Sequence, residues 1–147
     1  MNQDSELNNQ TIAVFFYGLF MDEALLASKG VRPATVATGH VDNFALHIGE
    51  RATLLPEDGN RAYGVLMQIT EDDAEALYAD PSLADYVAET VGVHLADGNV
   101  EMALCYNLAA DALSGTNPEY AAKLLTLASE LGLPRPYLDH IAGLAAS

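Results

Sequence analysis

The chain has 147 residues, half of them apolar, and sets six basic against 21 acidic side chains for a net charge of −15. That length and apolar content predict one domain, burying roughly two thirds of the surface exposed by the unfolded chain. The charge argues against nucleic acid and against anionic membrane surfaces, since both demand lysine and arginine to neutralise phosphate.

Residues 1–10 are polar and rich in Asn, which predicts a frayed tail ahead of a single domain over 11–147. No signal peptide precedes Thr11 and no apolar run approaches the roughly 18 residues of a membrane span, so a cytoplasmic location is expected. The segment Thr11-Ile-Ala-Val-Phe-Phe-Tyr-Gly-Leu-Phe-Met-Asp22 begins as a buried strand and breaks at Gly18. It then enters a helix with Asp22 as N-cap. Backbone N–H groups in such a glycine turn can receive a carboxylate or a phosphate.

Residues 34–41 and 43–48 read as strands bent around Gly39 and Asp42, and 52–55 as a short strand ending at Pro56. Asp58-Gly59 is a hairpin signal leading into a strand over 61–69. Thr70 caps a helix through Ala79, with acids in its first turn, and Asp80-Pro81-Ser82 ends it. Residues 86–95 and 99–108 form the clearest hairpin, joined at Asp97-Gly98. With those two as the loop, Val93 faces Met102, Val91 faces Leu104 and Glu89 faces Tyr106. Glu89 is then a carboxylate on the buried side of a strand, either satisfied by Tyr106 or facing a cavity with a raised pKa. Asn117-Pro118 opens a helix with apolar residues at 121, 124, 125, 128 and 131, and Gly132 stops it. A last short helix covers 136–144. Clustered short strands with a few helices mean an α+β fold, the strands closing into a small mixed β-barrel flanked by helices.

Few residues outside this pattern suggest chemistry. His40, His47, His94 and His140 have no ligand spacing along the chain, so no metal is expected. Ser28, Ser82 and Ser114 sit in no nucleophile-elbow context, and Glu71-Asp72-Asp73 reads as a solvated first turn. Cys105, the one cysteine, reads as a buried, inert thiol. No dinucleotide or P-loop glycine pattern is present, and no cofactor is expected.

The order of pieces resembles the γ-glutamylcyclotransferase-like (AIG2-like) family across about residues 12–141. The matching residues are Phe16-Tyr17-Gly18-Leu19-Phe20-Met21-Asp22, then Ala52-Thr-Leu-Leu-Pro56, then Tyr63-Gly-Val-Leu66. The Asp-Gly hairpin fits too, as does Gly132-Leu-Pro-Arg-Pro-Tyr137 with Tyr120 ahead of it. The resemblance implies a cavity at the Tyr-Gly loop whose backbone holds a γ-glutamyl carboxylate. It also implies a glutamate that deprotonates the α-amine for attack on the γ-carbonyl, releasing 5-oxoproline and an amine. A base is required because only the free amine is a nucleophile. On this pattern Tyr17, Gly18, Leu19 and Phe20 line the cavity, with Tyr137 near its mouth.

The sequence departs from the family at the base. The family's Leu-Asp-x-x-Glu-Gly context falls on Leu77-Tyr-Ala-Asp-Pro-Ser-Leu83, placing Pro81 at the glutamate and Ser82 at the glycine. A shift of one residue puts Ser82 there instead. Asp80 is the nearest carboxylate, shorter and offset by one position. Leu19 and Phe20 also replace a polar pair. Two readings follow: a fold relative without the activity that binds a small acidic or γ-glutamyl-type ligand, or a protein, through the same cavity, and a working cyclotransferase or related lyase whose base has moved to Asp80 or Glu89. A third is a subunit contributing only an interface through the helix over 118–131, and a homodimer is compatible with any of them.

Overall fold

In the computed structural model, which describes residues 11–145 (of Ser82 the backbone only), five strands close into a barrel. They are β1 (Thr11–Phe16), β2 (Thr35–Ile48), β3 (Ala52–Thr70), β4 (Val87–Leu95) and β5 (Val100–Asn107), arranged β1-β3-β2-β4-β5. Neighbours run antiparallel except β5 and β1, which close the ring in parallel through the pair Val14↔Leu104. Closure removes the unpaired edges that short strands otherwise present. Around the barrel lie α1 (Glu23–Ser28), α2 (Glu71–Leu77), α3 (Pro118–Glu130) and α4 (Arg135–Ala145). This is the expected α+β class and mixed barrel. The tail expected over 1–10 lies outside the described residues. No described helix is long and apolar enough to cross a membrane.

Local chemistry sets the ends of the helices. The Asp22 carboxylate accepts from the Ala24 N–H at 2.9 Å, the Thr70 hydroxyl from Asp73 N–H at 3.1 Å, and Asn117 Oδ1 from Tyr120 N–H at 3.0 Å. Each satisfies a donor that the first helical turn leaves open. Gly132, at φ 76°, reverses the chain after α3, and Leu133 N–H reaches back to the Ala128 carbonyl. Ala121, Leu124 and Ala128 of α3 are fully buried, so its apolar stripe belongs to the core and is not a free contact face. In β1 three successive residues, Val14, Phe15 and Phe16, are buried, as happens when a strand is covered on both faces.

Two pairings differ from expectation. The segments read as four short strands are two long ones, with β2 and β3 paired from Ile48↔Ala52 out to Thr35↔Gln68. The register jumps between Asp42↔Arg61 and Phe44↔Pro56, so residues 57–60 bulge out opposite Asn43, which takes φ 65°. Asp58-Gly59 therefore turns within a strand rather than between strands, and Gly59 N–H is held by the Asn43 side chain at 3.1 Å. The β4–β5 hairpin has a three-residue loop, Ala96-Asp97-Gly98, with Gly98 at φ 90° and Leu95 N–H bonded to the Asn99 carbonyl. Glu89 consequently pairs with Cys105, not Tyr106, and Val93 with Glu101. Ala103 and Cys105 point into the core, while Met102 faces out with 61% of its surface exposed. The bulkier alternate set on β5 is the outer one, which misled the apolar pattern.

Where β3 crosses the end of β1, Gly64 leaves no room for a side chain. A Cβ there would run into the Phe16 carbonyl and come within 2.8 Å of the Phe15 ring. Gly64→Ala is expected to cost about 3 kcal/mol in chemical denaturation, the size of a core overpacking defect. Gly143→Ala on α4, where a Cβ meets nothing within 4 Å, should leave stability unchanged or raise it by about 1 kcal/mol.

Candidate functional site

At Tyr17 the chain leaves β1 and its side chain turns inward. Its hydroxyl donates to the Tyr106 carbonyl at 2.7 Å and lies 3.5 Å from the Ala52 carbonyl, tying the end of β1 to the ends of β5 and β3. Gly18 then lets the Tyr120 hydroxyl pack directly on the backbone, where any Cβ would collide with it. The Leu19 N–H donates to that hydroxyl at 3.2 Å. A single 3-10 turn, Leu19–Met21, follows, closed by Met21 N–H on the Gly18 carbonyl and pinned by the buried Met21 side chain.

Beside this turn is a cavity of about 360 Å³, within the size range of small-molecule sites. The segment from Phe16 to Phe20 forms one side, so Tyr17, Gly18, Leu19 and Phe20 all line it. Its walls are aromatic: Phe20 meets Phe16 and Tyr78 edge-on at 5.8 and 5.6 Å between ring centres. Tyr78 in turn stacks on Tyr106 at 4.0 Å. Tyr86 and Tyr120 complete the aromatic lining, and the Tyr86 hydroxyl donates to the Ala52 carbonyl.

The charged residues lining the cavity are Lys29, which caps the C-terminal end of α1, and Glu50 and Arg51 from the β2–β3 turn. Two of the chain's six basic residues thus line the cavity beside Glu50, in a protein of net charge −15. The Arg51 guanidinium lies 3.4 Å from the Asp85 carboxylate and 5.9 Å from the centre of the Tyr86 ring. Burial pushes the Tyr86 phenol up to about 12, with Tyr120 adding to the rise and Arg51 opposing it. Burial likewise raises Tyr17 and Tyr120, the latter against the pull of the Leu19 N–H. At neutral pH these phenols are protonated and serve as hydrogen-bonding groups rather than bases.

The other expected site residues lie elsewhere. Tyr137 is not at the cavity mouth. Beyond the turn at Gly132, Tyr137 of α4 is buried with its ring 5.2 Å from Tyr63. There it borders a separate cavity of about 270 Å³ together with Arg61 and His140. Asp80 is exposed in the bend after α2, and the cavity receives Tyr78 and Leu83 from that segment instead. Glu89 sits on the same strand side as Val91 and Val93 but at the strand's exposed end. Its carboxylate accepts from Asn107 Nδ2 at 2.8 Å, and Asn107 Oδ1 accepts from Leu54 N–H at 3.2 Å, so Glu89 helps to lock the barrel's end. Neither Asp80 nor Glu89 lines the cavity. Chain spacing also hid a second cluster: sheet pairing brings His40, Asp42 and His94 together, with one ligand atom from each lying within 4.8 Å of the others.

Lys29, Glu50, Arg51 and Tyr86 carry no motif in the sequence, whereas Tyr120 belongs to the family pattern but without a role at the cavity. One signal was readable: Glu50-Arg51 is a charged pair in a tight turn between two apolar strands, a place where exposed charge is held in fixed geometry.

Tyr17→Phe removes a hydrogen bond from a buried carbonyl and is expected to cost about 1–2 kcal/mol in urea unfolding. Gly18→Ala should instead displace the Tyr120 ring, leaving the fold intact and shifting the Tyr120 signals in NMR spectra. Burial holds the Cys105 thiol up at about 12, so it should react with thiol reagents only on unfolding. Folded Cys105 and Tyr86 keep protons that the unfolded chain releases near pH 9 and 10. The native state therefore binds more protons in that range, and melting temperature should fall as pH rises from about 9 to 12.

A family model described as Gamma-glutamyl cyclotransferase, AIG2-like, matches residues 14–123. A search of curated protein sequences finds no match. Among solved structures, one titled Gamma-glutamyl cyclotransferase superposes with a TM-score of 0.72 at 18% identity, over 90% of this chain and 86% of its own. A yeast gamma-glutamyl cyclotransferase specific to glutathione gives 0.68 at 17% identity, over 94% and 96%. YkqA from Bacillus subtilis gives 0.76 at 21% identity, over 99% of this chain and 58% of its own. At these identities the structures share the fold, while the family match spans most of the barrel and the Tyr17-Gly18 turn. The chain belongs to the gamma-glutamyl cyclotransferase, AIG2-like family.

Proposed function

We propose that this protein binds a small anionic ligand of γ-glutamyl type in the cavity at the Tyr17-Gly18 turn and does not cyclise it. The observation that carries this reading is the cavity's inventory. Lys29 and Arg51 suit a carboxylate, and aromatic rings suit the apolar part of an amide. Cyclisation needs a base within hydrogen-bond reach of the α-ammonium group. Pro81 stands where the family's glutamate is expected, and neither Asp80 nor Glu89 reaches the cavity wall. The Tyr120 hydroxyl already accepts from the Leu19 N–H, so a ligand carboxylate that used this donor would have to displace it.

Glu50 favours a second reading. It is the acidic residue among those that line the cavity, and an active cyclotransferase would turn its carboxylate inward to take the proton from the α-ammonium group. The freed amine would then attack the γ-carbonyl, closing the ring as the C–N bond breaks and the departing amine gains a proton.

One panel separates the two. Binding of γ-glutamyl amines, γ-glutamyl dipeptides and glutathione is measured by calorimetry, and 5-oxoproline release is followed on the same samples. Binding weakened about tenfold by Arg51→Ala, with no 5-oxoproline formed, is the expected result. Release of 5-oxoproline by the folded protein overturns the binding-only reading. Loss of that release in Glu50→Gln, but not in Asp80→Asn or Glu89→Gln, assigns the base.

A further inference from the structure

On the outer face of the barrel, at the opposite end of β4 from Tyr86 and about 25 Å of extended chain away, two strands converge three metal-binding side chains. His40 and Asp42 alternate along β2 and so share one face, and His94 is the direct partner of His40 across the β2–β4 ladder. Their neighbours Val41 and Val93 fill the core, which turns all three outward. The imidazole rings lie parallel, 5° apart with centres 4.9 Å from each other. Both present Nε2 to the same carboxylate: His40 lies 3.6 Å from Asp42 Oδ1 and His94 lies 3.3 Å from Oδ2.

We infer that His40, Asp42 and His94 form a binding site for a divalent first-row transition ion, zinc being the natural probe. Zinc bonds of about 2.0–2.2 Å to nitrogen and oxygen, set tetrahedrally, put neighbouring ligand atoms about 3.4 Å apart. Each imidazole lies near that edge length from one oxygen of the carboxylate, His40 from Oδ1 and His94 from Oδ2. With one ligand atom taken from each residue every separation is within 4.8 Å, so rotations of the carboxylate and the rings by about 1 Å would close the set on an ion. Two imidazoles with one carboxylate select zinc, copper or nickel over magnesium and calcium, which prefer all-oxygen shells. Three protein ligands leave a fourth position for water.

The competing arrangement is an ordinary ion-pair cluster, because Arg61 Nε also lies 3.1 Å from Asp42 Oδ1. That guanidinium is about half exposed and can swing into solvent when a cation arrives. Arg61 is then a competitor for Asp42, and its removal has opposite consequences in the two cases. The ion would also do structural work. The β2–β4 ladder carries only Gly39↔Leu95 and His40↔His94, the shortest antiparallel seam of the barrel, and a metal bridging His40 and His94 staples it. This reading does not depend on what the cavity binds.

The test titrates zinc into chelator-treated protein against a chromophoric competitor, with cobalt absorption and thermal melting followed in parallel. One equivalent is expected to bind and to raise the melting temperature, with a tetrahedral cobalt spectrum. His94→Ala and the near-isosteric Asp42→Asn should each weaken binding at least about tenfold, while Arg61→Gln should strengthen it. His47→Ala should change nothing. Absence of binding by the wild type overturns the proposal, and so does binding that His94→Ala and Asp42→Asn leave at wild-type strength. Weaker binding in Arg61→Gln also overturns it.

Discussion

Everything at the candidate site hangs on how the barrel is sealed. The β1–β5 contact is parallel and rests on a single residue pair, Val14↔Leu104, too little to hold two strand ends in register. The Tyr17 hydroxyl adds the missing tie, donating to the Tyr106 carbonyl from the side of the barrel that becomes the cavity. Because Tyr17 is spent on the backbone, it shapes the cavity without offering its proton to a ligand. Gly18 follows directly, and its missing side chain admits the Tyr120 hydroxyl, which joins α3 to the same turn. Sealing the barrel and forming the turn beside the cavity thus rest on adjacent residues.

The chemistry at that turn is set by what surrounds it. Tyr78, Tyr86 and Tyr120 make the walls, and burial keeps their hydroxyls protonated. Charge enters only from the rim, on Lys29, Glu50 and Arg51. The walls of such a cavity hold few groups able to move a proton. The clustering of basic residues matters more here than in a neutral protein, since elsewhere the surface repels an anion.

Much of the architecture was legible because strong local signals agreed with the final fold. The caps at Asp22, Thr70 and Asn117, the stop at Gly132 and the strand-glycine-helix order around Gly18 all appear where the sequence places them. Pairing was harder. A three-residue loop in place of two shifted β4 against β5 and turned Met102 outward, a change that no local pattern records because both strand faces are apolar. The bulge opposite Asn43 has the composition of a hairpin turn, so composition alone does not distinguish the two. Tyr137 was misplaced for a different reason: a motif gives order along the chain, whereas the position of α4 depends on which barrel face Leu133, Tyr137 and Ile141 cover. The His40–Asp42–His94 cluster was invisible to spacing rules because its third member arrives across a strand pair.

The long β2–β3 ribbon has a consequence for the order of events in folding. Its pairing begins at Ile48↔Ala52, across a short turn, and zips outward with little loss of chain entropy. The Tyr17–Tyr106 tie, by contrast, joins residues 89 positions apart and can form only after the chain has closed that large loop. Ribbon first and seal last is the kinetically cheap sequence. On that order the cavity would be completed together with the seal, and a ligand that filled it would favour the sealed barrel over less complete species. Any ligand of the cavity would thus stabilise the native state by binding a feature that the unsealed barrel lacks.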